Sequence, residues 1–226
     1  MKWLLALPLL AAMAPASAGE TISVCYNYAC LAQSQVHYVD AQLAQVQALL
    51  GAATSASDER EKLALAIGQL HGWAGRQTPI AADRGGNTAD DGVYGRMDCI
   101  DHSTTTTRLL RLLEERGWLR FHRVLEPVSR VLYVFQVHYS AQIEEIAASE
   151  PASDTADVAK QAEAGAEQAR YVVDTWFRDN GRPAVVIGLQ DWFDGQDDGD
   201  GDAGRDEGAQ PKIVLDGRGK EQNVEP

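Results

Sequence analysis

The sequence predicts an α+β fold in which helices come first and an antiparallel sheet follows. Three observations carry that expectation. Apolar residues recur at steps of three and four through the first part of the chain, from Val36 to Ala74, and again from Leu109 to Leu113. After Gly117 the pattern changes to runs rich in Val, Leu, Tyr and Phe, which suit a pleated surface. Asp179-Asn180-Gly181 then stands as a strong turn signal between two extended runs. Helices first and strands after point to an antiparallel sheet with the cysteine-bearing helix packed on it.

Residues 1–18 read as a signal peptide. Lys2 is the charged start, Trp3 to Met13 the apolar centre, and Ala16-Ser17-Ala18 the small-residue cleavage site. That places the mature protein in the periplasm or outside the cell, with no stable membrane insertion once the leader is removed. The segment ETISVCYNYAC, Glu20 to Cys30, is short and mixed. Cys25 and Cys30 are a disulfide candidate provided they do not share one regular helix, where five-residue spacing would point them apart.

Val36, Val39, Leu43, Val46 and Leu50 predict an amphipathic helix ending at Gly51. Ser55, Ser57, Asp58 and Glu59 mark the start of a second, with Leu63, Ile67, Leu70 and Ala74 as its buried stripe. Together residues 19–76 are expected to form a helical hairpin. Gln77 to Tyr94 is dense in Gly, Asp, Asn and Pro and is expected to be a loop. Tyr94 and, further on, His102 are candidates to line a cleft or to stabilise an oxyanion.

Arg96 to Val124 organises the rest. Asp98 is suited to cap a helix, and Asp101 stands three residues later as in an acidic capping box. Leu109, Leu110, Leu112 and Leu113 supply a buried face, and Gly117 can end the helix in the left-handed conformation. Cys99 falls at the mouth of this helix. Free backbone N–H groups and the positive end of the helix dipole favour its thiolate, while the carboxylates of Asp98 and Asp101 oppose it. The four threonines, Thr104 to Thr107, are unusual in a helix because β-branched residues lose rotamer freedom there.

Leu119 to Val137 is expected to supply two strands separated near Pro127, the second leading to His138. Tyr171 to Phe177 is a third strand and carries Asp174, and Arg182 to Leu189 is a fourth element. Ala148 to Gln168 reads as a polar insert. From Asp191 to Glu207 there are eight acidic residues and one Arg, so the chain from 194 onward is expected to be a solvated, disordered tail. Asp198, Asp200 and Asp202 alternate as in a calcium loop, but Ala203 and Ala209 stand where that loop needs glycine and glutamate. The structured part, 19–193, is then one domain, with 95–193 as its core.

A nucleophilic cysteine needs a base, and the base an orienting group. Cys99 at a helix start, His138 in one extended run and Asp174 in the next meet that need, with His138 following Cys99 by 39 positions and Asp174 following His138 by 36. This order resembles the transglutaminase-like branch of papain-type thiol enzymes. The resemblance spans about Asp98 to Phe177 and implies Cys99 as nucleophile, His138 as the imidazole and Asp174 as the orienting acid. It also implies a transglutaminase-like core and hydrolysis or acyl transfer at an amide bond, with a protein or peptide substrate in the cell envelope and no cofactor. Two other readings compete. One is a non-catalytic envelope module that keeps the fold for binding or assembly. The other is a zinc site drawn from Cys99, His102, His122 and His138. A net charge of −13 with no basic cluster argues against nucleic acid as a partner.

Overall fold

The structure is a computed structural model that describes residues 19–86, 89–132, 136–146, 169–196, 214–215 and 221–222. The signal peptide, the insert 148–168 and the aspartates of the calcium-like run lie outside the described residues. The protein is mixed α and β, with antiparallel pairing in every sheet.

The chain opens with a β-hairpin that the apolar spacing did not predict. Strand β1 (Glu20–Tyr26) pairs antiparallel with β2 (Ala32–Tyr38) from Glu20↔Tyr38 to Tyr26↔Ala32. Val36 therefore belongs to a strand, and helix α1 runs only over Asp40–Gly51. The step of three from Val36 to Val39 straddles two elements. Along β2 burial alternates, with Val36 and Tyr38 inside and Gln35 and His37 outside, which is the period of a strand.

Helix α2 (Ala56–Gly75) starts where the serines and acids predict, with Ser55 Oγ accepting from the Asp58 N–H at 3.1 Å. Its stripe of Leu63, Ile67, Leu70 and Ala74 is wholly buried. Gly68 has a reason to be glycine: a Cβ there would stand 2.5 Å from the Arg182 carbonyl oxygen, so the chain before the last strand could not lie on this helix.

Helix α3 (Cys99–Glu115) has Asp98 as its cap. Asp98 Oδ1 accepts from the Asp101 N–H at 2.9 Å, and Asp101 Oδ2 accepts from the Asp98 N–H at 3.2 Å. Gly117, at φ 67°, ends it. Leu109, Leu110 and Leu113 are fully buried.

Strands β3 (His122–Leu132), β4 (Gln136–Glu145), β5 (Arg170–Asp174) and β6 (Val185–Gly188) form one sheet in chain order. Pro127 does not separate two strands. The register shifts between Leu125 and Val128, and that irregularity lets a residue without an N–H sit within a single strand. Helix α4 (Leu189–Phe193) follows β6 at once. Val214–Leu215 and Glu221–Gln222 pair as two short strands, β7 and β8, within the segment expected to be a tail.

The main sheet has two unlike faces. Ala141 and Ile143 of β4 and Val173 of β5 join the large core built with α1, α2, α3 and the hairpin. Val172, Leu189 and Trp192 form a smaller cluster, flanked by Val128 and Ile187, on the opposite face. Side chains alternate along each strand, so β4 residues 138, 140 and 142 and β5 residues 172 and 174 belong to the α4 face. Among the described residues no helix is long and apolar enough to cross a membrane.

Candidate active site

Cys99 is the first residue of α3 because Asp98 caps the helix immediately before it. Its sulfur reaches the end of β4 that the next strand leaves uncovered, since the β4–β5 ladder runs only from Ala141 to Glu144. There the thiol donates to the Val137 carbonyl at 3.7 Å, and the Tyr139 N–H donates to the sulfur. The two backbone groups flank His138. Burial pushes the thiol up, with the Asp98 and Asp174 carboxylates adding to the rise, against the Tyr139 amide and the amide of Cys99 itself. The helix start does not by itself outweigh the burial of the thiol.

His138 and Asp174 meet on the α4 face. Ala141 pairs with Val173, which brings Asp174 beside the preceding stretch of β4 and on the same face as His138. His138 Nε2 lies 2.7 Å from Asp174 Oδ2, and both residues are buried. Asp174 is itself held: Oδ1 accepts from the Trp176 N–H at 3.0 Å and Oδ2 from the Trp192 Nε1–H at 3.2 Å. The imidazole sits among the rings of Trp176, Phe177 and Trp192, at centroid distances of 4.9, 5.3 and 5.6 Å. Arg130, the cross-strand partner of His138, lies with its guanidinium 4.5 Å from the Trp192 ring centre and donates to the Trp192 carbonyl. Trp176 and Trp192 are thus part of the candidate site beyond the residues expected from the sequence. The available signal was an acid close to an indole in Asp174-Thr175-Trp176 and in Asp191-Trp192.

The structure brings His138 and Asp174 into contact and sets the Cys99 thiol on the backbone beside His138. No hydrogen bond joins Cys99 to the His138 ring. The imidazole projects from the α4 face, whereas the thiol arrives from the α3 side at the strand edge. Nε2 takes the carboxylate, and among the described residues His138 Nδ1 has no hydrogen-bond partner.

The two cleft candidates are elsewhere. His102 is buried: Nδ1 is 2.8 Å from Thr175 Oγ1, and Nε2 lies 3.0 Å from Asp83 Oδ2, an ion-pair distance without hydrogen-bond geometry. It braces the underside of the sheet and does not line an open cleft. Tyr94 is exposed and stands edge-on to Tyr26 at 5.9 Å, against the N-terminal hairpin. The threonine run also finds its reason here. Thr105 Oγ1 accepts from the Cys25 N–H at 2.9 Å, while Thr106 Oγ1 bridges His71 and Thr175, each at 3.1 Å. Hydroxyls pin α3 to β1, α2 and the end of β5, which offsets the poor helix propensity. Burial drives His71 down to about 3, with His102 adding to the effect, so it serves there as a neutral ring.

The residues of the zinc reading are not gathered. His122 pairs with Glu145 at one end of the β3–β4 ladder and His138 with Arg130 towards the other. His122 Nδ1 is held by Glu59 at 2.8 Å. Cys25 and Cys30 are joined in a disulfide; with Asp101 they are the one group of potential metal-binding side chains found close together among the described residues. No protein-family model, no curated protein and no solved structure matches the chain.

Proposed function

We propose that the protein is a thiol enzyme of transglutaminase-like design that attacks an amide or ester carbonyl, with Cys99, His138 and Asp174 as its triad. The observation that carries this reading is the His138–Asp174 pair, buried and braced by Trp176 and Trp192, with the Cys99 thiol at a helix start on the backbone groups that flank His138. Asp174 holds the Nε2–H tautomer, which leaves a lone pair on Nδ1.

Catalysis would begin when the Cys99 sulfur leaves the Val137 carbonyl for Nδ1, a contact of the kind that tightens only with substrate bound. His138 takes the thiol proton as the sulfur adds to the carbonyl carbon. The Cys99 N–H, at the first position of α3 where the helix offers it no acceptor, would turn from its own sulfur to the developing oxyanion. His138, now cationic and stabilised by Asp174, returns the proton to the leaving amine or alcohol as the thioester forms. Water or an acceptor amine then attacks the thioester with His138 again as base. A peptide or protein substrate in the cell envelope belongs to this reading, as does a periplasmic or secreted location.

A second reading has one observation in its favour. The thiol is pushed up and rests on backbone groups, as an inert cysteine in a binding module would. Covalent labelling separates the two. Cys99 should react with iodoacetamide and with an activated peptide ester faster than a simple thiol near neutral pH, and this advantage should vanish in Cys99→Ala and His138→Ala. Reaction no faster than a free thiol, unaffected by His138→Ala, would leave the module reading standing.

A further inference from the structure

We propose that the Cys25–Cys30 loop is a redox-released latch on the first turn of α3: oxidised, it holds the helix start that carries Cys99, and reduction by a dithiol lets that turn loosen. The inference concerns the helix start itself and holds whether or not Cys99 proves catalytic.

The loop is strained. Asn27, Tyr28, Ala29 and Cys30 have φ of 65°, 65°, 50° and 55°, four consecutive non-glycine residues in the left-handed region. Asn tolerates this conformation, but Tyr, Ala and Cys are disfavoured by the clash of Cβ with the backbone. Such a run persists only where its surroundings over-determine it. Two constraints do so here. The disulfide closes the loop, and three successive N–H groups are spent on α3: Tyr28 N–H donates to Asp101 Oδ2 at 2.8 Å, Ala29 N–H to Asp98 Oδ2 at 3.0 Å and Cys30 N–H to Asp101 Oδ1 at 2.7 Å. Asp98 and Asp101 are the capping box of α3, so the same two carboxylates that start the helix also hold the loop.

Dependence runs both ways. Asp101 is fully buried beside Asp98, and burial and that neighbouring charge push it up to about 6. The loop N–H groups offset the crowding of two carboxylates at one helix start. If they withdraw, the like charges lose their donors and the capping box is weakened. The loop also ties down the approach to α3, since Asn27 N–H donates to the Arg96 carbonyl at 2.7 Å and the Gly95 N–H donates to Asn27 Oδ1 at 2.7 Å.

The bond is placed for directional cleavage. Cys25 is wholly buried and Cys30 only partly, so an incoming thiolate reaches the Cys30 sulfur. Attack forms a mixed disulfide on Cys30 and expels Cys25 as thiolate. Arg108 Nη1, 3.5 Å from the Cys25 sulfur, stabilises that leaving group. The second thiol of the reductant then attacks its own sulfur in the mixed disulfide, expels Cys30 as thiolate and leaves as a closed disulfide. The protein gains two electrons and, once both thiolates are protonated, two hydrogens.

Hydrogen exchange on the full chain tests this, comparing the oxidised protein with the same sample treated with dithiothreitol under native conditions, reduction being scored by mass. Amides of Asp101 to Thr105 should exchange about tenfold faster or more after reduction, with those of Leu63 to Ala74 in α2 unchanged. Equal exchange at α3 in the two states would overturn the proposal. So would loss of protection in α2 as well, because the disulfide would then be a staple for the whole fold. Asp101→Asn, with the disulfide intact, should loosen the same α3 amides; unchanged exchange there would show that the loop and the helix start are not coupled. If exchange changes as expected while Cys99 labelling stays that of a simple thiol, the latch stands and the enzyme reading falls.

Discussion

Two histidines on one β-ladder make the same buried contact with a carboxylate and differ in what the other ring nitrogen does. His122, near one end of β3, has Nδ1 at 2.8 Å from Glu59 and Nε2 at 3.2 Å from Arg60 Nη1. His138, towards the opposite end of β4, has Nε2 at 2.7 Å from Asp174 and no partner on Nδ1 among the described residues. Glu59 also accepts from the Arg120 and Phe121 N–H groups, so the first pair is a joint between α2 and the start of β3. A histidine–carboxylate pair is therefore not a catalytic signature in itself. A ring with both nitrogens filled is architecture, whereas a ring with one nitrogen unengaged keeps a position that can exchange a proton. His102, buried between Asp83 and Thr175, falls with His122.

The largest effect should separate the two rings directly. His138→Ala is expected to slow covalent labelling of Cys99 by roughly 10²–10⁴-fold, the usual loss when a general base is removed. His122→Ala should leave the labelling rate close to that of the parent protein. Equal losses in both variants, measured by mass spectrometry against time, would erase the distinction.

The next effect lies in stability and runs the other way. Glu59→Ala strips a buried histidine and two backbone N–H groups of their acceptor, which should cost about 3–5 kcal/mol in denaturant unfolding. Asp174→Asn keeps the shape of its site and should cost far less stability while lowering labelling. The two effects should cross over, with Glu59 governing the midpoint and Asp174 the reactivity.

Acid should discriminate as well. Burial raises the Glu59 carboxyl, but His122 and the two N–H groups outweigh it and hold the group below its ordinary value of 4.5. A carboxylate held low in the folded state stabilises above the unfolded value and loses that contribution as pH falls through the folded one. Parent stability should therefore drop below about pH 4.5 with a component absent from Glu59→Gln, read from urea midpoints across pH. A variant with the same acid limb as the parent would show that Glu59 is not the group lost.

Local signals in the sequence were legible and register was not. Asp98, Asp101 and Gly117 announce α3 because capping and termination depend on residues within a turn or two. Ser55 announces α2 for the same reason. The hairpin of β1 and β2 was hidden because Val36 and Val39 lie at helical spacing although one is in a strand and the other just before a helix. Pro127 misled because a register irregularity can absorb a proline. At the site, His138 and Asp174 could be named as partners from residue type and order, but their meeting depends on the β4–β5 register, and a slip of one residue would put them on opposite faces. Trp192 is harder still to read: its partner is Asp174, not the adjacent Asp191, and the contact depends on α4 folding back over the sheet, a tertiary event.

Trp192 also supplies the smallest and sharpest test of the comparison. Its ring is fully buried, its carbonyl is held by Arg130, and its Nε1–H donates to the same Asp174 oxygen that receives His138. In Trp192→Phe the apolar contact is largely kept and the donor is lost. One hydrogen bond to a buried carboxylate is worth about 1.5–3 kcal/mol, so unfolding should shift by an amount at or below that range. The reactivity effect should be distinctive in form. With one donor fewer, Asp174 is less firmly held and its grip on the Nε2–H is less well oriented, so labelling should slow modestly. In an Asp174→Asn background the same Trp192→Phe change should do almost nothing to labelling, because the carboxylate through which it acts is gone. Additive losses in the double variant would mean that Trp192 reaches Cys99 by another route, and that its contact with Asp174 serves the fold, as the Glu59 contacts around His122 do.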